Sequence, residues 1–74
     1  MRIAILAFPR FQLLDVAGPA DVFVEASRQL GDPRAYRVQV IGTEAGMLKS
    51  SGGLRLAVDA TVATHRGPID TLLV

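Results

Sequence analysis

The chain has 74 residues, half of them apolar and only 20% charged, with a formal net charge of +1. A small free-standing domain has much surface to wet and is expected to carry more charge, so this composition points to a piece of a larger body or to an oligomer. The basic residues Arg2, Arg10, Arg28, Arg34, Arg37, Lys49, Arg55 and Arg66 are scattered along the sequence without a basic stripe, which argues against nucleic-acid binding by this segment itself. There is no cysteine, which removes a disulfide framework, a thiolate nucleophile and the usual kind of zinc site. The single histidine, His65, reads as a loop residue.

Residues 3–8 form a compact apolar run with β-branched members, the pattern of a parallel strand covered on both faces. Pro9 and Arg10 end it. The run is short and lacks a small-residue cleavage site, so it does not read as a signal peptide. No apolar stretch approaches the roughly 18 to 20 residues of a membrane helix. The expectation is a soluble, cytoplasmic protein with no membrane partner.

Helical spacing follows. Pro19, Val22, Phe23, Ala26 and Leu30 fall at i, i+3, i+4, i+7 and i+11 and predict one apolar stripe, with Asp21, Glu25 and Arg28 on another face. Gly31 suits the C-terminal cap. Two starts are open. Proline is tolerated in a first turn, which favours a start near Gly18, whereas a start near Gln12 would place Pro19 inside the helix with a bend. In both cases Asp15 lies near a helix N-terminus, where free backbone N–H groups favour an anion.

Residues 36–41 alternate and predict a second strand, parallel to the first through a βαβ crossover. Residues 47–58 predict a hairpin of two short strands around Ser50, Ser51, Gly52 and Gly53. Residues 59–67 read as a loop or short helix, and residues 68–74 as a third parallel, buried strand. The chain closes on Leu72, Leu73 and Val74 with no turn or charged tail, which predicts a domain that continues. The alternative is a short protein whose last strand is a sheet edge.

Neither GxxxxGK[ST] nor GxGxxG is present, so neither a phosphate loop nor a dinucleotide site is supported, and no cofactor or metal is expected. Asp15 is the distinctive polar residue. It can cap a helix. It can also be a pocket carboxylate just after the first strand. Flanked by Leu14 and Val16, it is expected to lose solvation, and a desolvated carboxyl holds its proton more readily. Both roles can coexist.

The stretch RIAILAFPRFQLLDVAGPADVF resembles the opening of the ThiJ/PfpI superfamily, whose fold is shared by class I glutamine amidotransferase-like domains. The LLDVAGPADVF block, the LKSSGGLRLAVD hairpin and the GPIDTLLV strand match in order and cover nearly the whole chain. The resemblance is nearest to the N-terminal sensor domain of AraC-type transcriptional regulators, and next to isonitrile hydratase-like enzymes. It implies an α/β, flavodoxin-like three-layer sandwich with a mostly parallel sheet, of which residues 1–74 are the N-terminal part, ending before the nucleophile elbow. Asp15 matches the acidic residue that the family keeps near an elbow cysteine, and Gly18 and Pro19 match the turn that shapes the pocket. In enzymatic relatives that carboxylate hydrogen-bonds the cysteine, which lies beyond the strand that ends here and the Pro-Gly-Gly stretch that follows it. None of these is within the 74 residues, so no catalytic residue is expected in this chain. The implied ligand-binding residues are Asp15, Gly18 and Pro19. The implied partners are a small-molecule ligand, a second copy in a homodimer, and DNA only through a C-terminal helix-turn-helix domain. The alternatives are a fragment of a cysteine-dependent hydratase or hydrolase, and a structural or dimerisation piece without a ligand.

Overall fold

The computed structural model describes all 74 residues. The elements are β1 (Arg2–Ala7), α1 (Leu13–Gln29), β2 (Arg37–Gly42), β3 (Met47–Lys49), β4 (Arg55–Ala57), β5 (Ala60–Thr61) and β6 (Thr71–Leu73). Ile3, Ala4, Ile5 and Ala7 are buried on both faces of β1, as the unbroken apolar run requires of a central parallel strand. β1 pairs in parallel with β2 on one side and β6 on the other, and β5 extends the sheet beyond β2, giving the order β5-β2-β1-β6. β3 and β4 form a separate antiparallel hairpin.

Register fixes what each face carries. Ile3, Ile5 and Ala7 align with Val38, Val40 and Gly42, and Ile5 with Leu73. Onto this face pack Phe11, Leu13, Val16 and Ala20 from the turn and helix, and Leu48 and Leu56 from the hairpin. The other face carries Gln39 and Leu72, both exposed, and no helix. The 74 residues therefore build a mostly parallel, flavodoxin-like sheet covered on one face by α1 and the hairpin.

The two shortest strands are held by the same device. Asp59 precedes β5; its N–H donates to the Val40 carbonyl at 2.9 Å and its carboxylate accepts the Val40 N–H at 2.7 Å. Asp70 precedes β6 and does the same with Arg2, at 2.9 and 2.6 Å. A hydrogen bond to a charged acceptor is stronger than one between neutral groups, so each aspartate pins a strand too short to hold itself.

The helix starts at Leu13, the earlier of the two predicted starts, with Gln12 as N-cap and Pro19 inside. Packing on the sheet turns the core face away from the predicted stripe. Leu13, Val16, Ala20, Phe23 and Ser27 face inward, whereas Val22 and Leu30 are exposed. Ser27 is buried because its hydroxyl accepts the Tyr36 N–H at 3.0 Å, tying the end of α1 to the entry of β2. Gly31, at φ 68°, closes the helix as predicted, and the Asp32 N–H reaches back to the Ser27 carbonyl.

Two further expectations are corrected. Residues 59–67 are neither a plain loop nor a helix: Ala60 and Thr61 form β5, and a turn at Thr61–Thr64 follows, closed by hydroxyl and backbone bonds between those two threonines. Within these 74 residues the last strand is parallel and pairs with β1 alone, and Leu72 is exposed rather than buried.

Leu48 is 2% exposed at the centre of the cluster, so Leu48→Ala is expected to lower unfolding free energy in urea by about 2–5 kcal/mol, and Leu54→Ala, on the exposed turn, by much less. Asp59→Ala and Asp70→Ala act on exposed groups and should each cost about 1 kcal/mol in the same titration. Pro19 has no N–H for the Asp15 carbonyl one turn back, so Pro19→Ala should raise the unfolding midpoint. A Cβ at Gly18 would meet Leu14 Cδ1 at 3.7 Å, an ordinary contact, so Gly18→Ala should stabilise by about 0.5–1 kcal/mol.

Candidate functional site

From β1 the chain runs outward through β2 to β5, then returns to place β6 on the other side of β1. The strand order therefore reverses between β1 and β6. In open α/β sheets the crevice for a ligand lies outside the carboxyl ends of the strands at such a reversal. A cleft of about 400 Å³ sits there. Ile5, Leu6 and Phe8 from β1 and its exit, and Leu73 and Val74 from β6, form one wall. Phe11, Gln12, Leu14, Asp15, Val16 and Pro19 from the turn and the start of α1 form the other. Asp15 carries the only ionisable side chain in this lining.

The β1–α1 turn explains how these residues meet. Arg10 adopts φ 68°, a left-handed conformation otherwise taken in this chain by glycines. Its N–H donates to the Lys49 carbonyl at 2.9 Å, the Phe11 N–H to the Phe8 carbonyl at 3.0 Å, and the Ser51 N–H to the Phe11 carbonyl at 2.8 Å. The turn is thereby stitched to the hairpin, Phe11 is buried beneath it, and α1 starts above the ends of β1 and β6.

Asp15 stands in the first turn of α1, in the favourable field of the helix N-terminus. It is not the N-cap; Gln12 holds that position without a side-chain cap bond. Its carboxylate is exposed and takes part in no hydrogen bond or ion pair within the chain. The expected desolvation by its neighbours is absent, because Leu14 turns to solvent and Val16 turns into the core. Pro19, one turn on, places its ring in the cleft wall. Gly18 is half-buried and lies outside the lining. The cleft thus brings Asp15 and Pro19 together and leaves Gly18 behind them. His65 is remote from it, its Nε2 3.2 Å from the Gly67 carbonyl.

Phe8, Phe11, Gln12 and Leu73 line the cleft without having been singled out in the sequence. The available signal was position: apolar residues at the carboxyl end of a buried strand. A second cleft of similar volume lies at the far end of α1, lined in part by Ser27, Arg28, Asp32 and Tyr36. The side chains of Ser27, Arg28 and Asp32 already have partners. Arg28 pairs with Glu25 at 2.6 Å, Asp32 accepts the Arg34 N–H, and Ser27 bonds the Tyr36 backbone. The cleft at the carboxyl ends is the better candidate, since it leaves a carboxylate free among apolar walls.

No protein-family model matches the chain. A protein of Streptomyces lividans, described only as an uncharacterized protein in the cpoL 5′ region, is 37% identical over 73 residues, which is 99% of this chain and 49% of that protein. The chain thus spans about half the length of that relative. Among solved structures, an AraC family transcriptional regulator from Pseudomonas putida matches with a TM-score of 0.78 at 20% identity, over 96% of this chain and 43% of the regulator's. DJ-1 superfamily proteins from Agrobacterium tumefaciens and Salmonella typhimurium match with TM-scores of 0.67 and 0.66, at 22% and 19% identity, each over 35% of its own chain. At such identities the likeness is one of architecture. In fold, the chain resembles the matching parts of the AraC family regulator and of the two DJ-1 superfamily proteins.

Proposed function

We propose that the chain forms part of the small-molecule-sensing ThiJ/PfpI-like domain of an AraC-family transcriptional regulator. The carrying observation is the cleft at the β1–β6 reversal, where one free carboxylate stands among apolar walls. The likeness to the Pseudomonas putida regulator over almost the whole chain supports the regulator assignment. In this reading Asp15 and Pro19 contact the ligand, and Gly18 acts through the helix backbone beside them. The protein acts in the cytoplasm as a homodimer, and DNA is contacted only by a domain outside these 74 residues. Ligand binding biases the dimer and so repositions the DNA-reading elements.

The lining also suggests the chemistry of the ligand. Phe8, Leu14, Pro19 and Leu73 offer apolar contact, and Asp15 offers a negative charge with no internal partner. A small molecule with an apolar body and an ammonium group fits both, through burial of the body and a charge-assisted hydrogen bond to the carboxylate.

The likeness to DJ-1 superfamily proteins favours a second reading, a cysteine-dependent hydratase or hydrolase of the isonitrile hydratase-like kind. The chain contains no cysteine, so the nucleophile of such an enzyme would come from outside it, with Asp15 as its hydrogen-bond partner. Reading the parent gene through the codons after Val74 separates the two. A helix-turn-helix region supports the regulator, and an elbow cysteine in a chain without that region supports the enzyme.

Calorimetry on the full-length protein tests the cleft. Butylammonium should bind measurably and butyrate should not. Asp15→Asn should weaken butylammonium by about tenfold or more, the loss expected for a charged hydrogen bond. Equal binding of the two probes, or no effect of Asp15→Asn, would overturn the assignment of Asp15 to a ligand site.

A further inference from the structure

The cleft at the carboxyl ends of β1 and β6 holds a second polar side chain without a task in the fold. Gln12 lines it and stands at the cap position of α1, its backbone extended at φ −84° and ψ 121°. In extended backbone successive side chains point to opposite sides. Phe11 is buried beneath the turn, so Gln12 faces outward and is exposed. Its carbonyl accepts the Asp15 N–H at 3.0 Å, which closes the first turn of the helix. Its carboxamide takes part in no cap bond and in none of the other side-chain hydrogen bonds of the chain.

The position makes that freedom informative. Ser, Thr, Asn and Asp cap well because a short side chain brings its oxygen to the free N–H groups of the first turn. Glutamine is too long for that geometry, and α1 starts uncapped. The carboxamide is left to the cleft instead. Gln12 and Asp15 are three residues apart and line the same cleft, a spacing that puts Cβ atoms about 5–6 Å from each other. Their chemistries differ. The carboxylate only accepts hydrogen bonds, whereas the carboxamide both donates and accepts. Around them stand Phe8, Leu14, Pro19 and Leu73, which offer apolar contact alone. An ammonium group satisfies Asp15 and leaves Gln12 idle.

We infer that Gln12 sets the specificity of this cleft, and that the ligand is an amine carrying a hydroxyl group about three carbons from the nitrogen, a spacer comparable with the separation of the two side chains. The ammonium group donates to the Asp15 carboxylate, and the hydroxyl exchanges a hydrogen bond with the Gln12 carboxamide. This rests on the ligand site of the proposed function and narrows its chemistry. A hydroxyl in place of a methyl gives up apolar burial and needs a partner once desolvated. Without Gln12 the hydroxyl-bearing amine is therefore the poorer ligand, and with Gln12 it is the better one. The sign of the preference reports on Gln12 alone.

Calorimetry on the full-length protein with two probes of equal length, 3-hydroxypropylammonium and butylammonium, tests it. The wild-type protein should bind the hydroxyl probe about three- to tenfold more tightly, the gain from one hydrogen bond. Gln12→Met keeps an unbranched side chain and removes the amide, and should abolish or invert that preference. Gln12→Ser can supply the missing cap; it should raise the thermal unfolding midpoint and still lose the preference, which separates the ligand contact from any effect on folding. Asp15→Asn should weaken both probes and leave their ratio unchanged, because the ratio isolates the hydroxyl contact. No preference in the wild-type protein, a preference that survives Gln12→Met and Gln12→Ser, or no binding of either probe would overturn the inference. A normal loss with Asp15→Asn but no hydroxyl preference would sink the role of Gln12 and leave the Asp15 site standing. Binding indifferent to Asp15→Asn, with a ratio that still collapses in Gln12→Met, would sink the Asp15 reading and keep Gln12 as the hydroxyl contact.

Discussion

The structure depends on β1 being paired on both sides. A strand with Ile3, Ala4, Ile5 and Ala7 all buried needs a hydrogen-bonded neighbour at each edge. β2 supplies one neighbour along its whole length, Arg2↔Arg37 through Ala7↔Gly42. β6 supplies the other, after the chain has travelled to the far edge through β5 and come back. That return makes β1 the place where the direction of strand addition reverses. The cleft at the carboxyl ends of β1 and β6 lies at that reversal, with the β1–α1 turn and the start of α1 as its other wall.

Short-range chemistry then decides what faces the cleft. The β1–α1 turn would have many conformations as a free peptide. Bonds from Arg10 and Ser51 to the facing backbone select one, with Arg10 in a left-handed conformation and Phe11 buried. A strained residue persists where its surroundings over-determine it. The helix that starts from this turn presents its first carboxylate, Asp15, at the rim. Pro19 leaves the Asp15 carbonyl without the usual helix donor, so the same short segment gives up helical regularity next to the cleft.

The carboxylates are divided between building and display. Asp59 and Asp70 hold the two short strands, Asp32 closes the turn after α1, and Glu25 pairs with Arg28. Asp15 at the cleft rim, Asp21 on the outer face of α1 and Glu44 in the loop after β2 remain unengaged. Most of the basic residues find no acidic partner in the chain, and two of them oppose each other across the hairpin.

The sequence by itself determined the elements whose signal is local. The apolar run of β1, the alternation of β2, the Ser-Ser-Gly-Gly hairpin and the closing role of Gly31 were legible because backbone preference and side-chain period act over a few residues. Asp15 stood out for the same reason, as a charge in an apolar segment beside Gly18 and Pro19. Tertiary structure decided the rest. The inward face of α1 was set by packing on the sheet, which turned Val16 and Ser27 in and Val22 and Leu30 out. The edge position of β6, the two-residue β5 and the aspartates that pin them depend on partners far along the chain. The exposure of Asp15 and its meeting with Phe8 and Leu73 arise only when the ends of two strands and one helix converge, which no local pattern encodes.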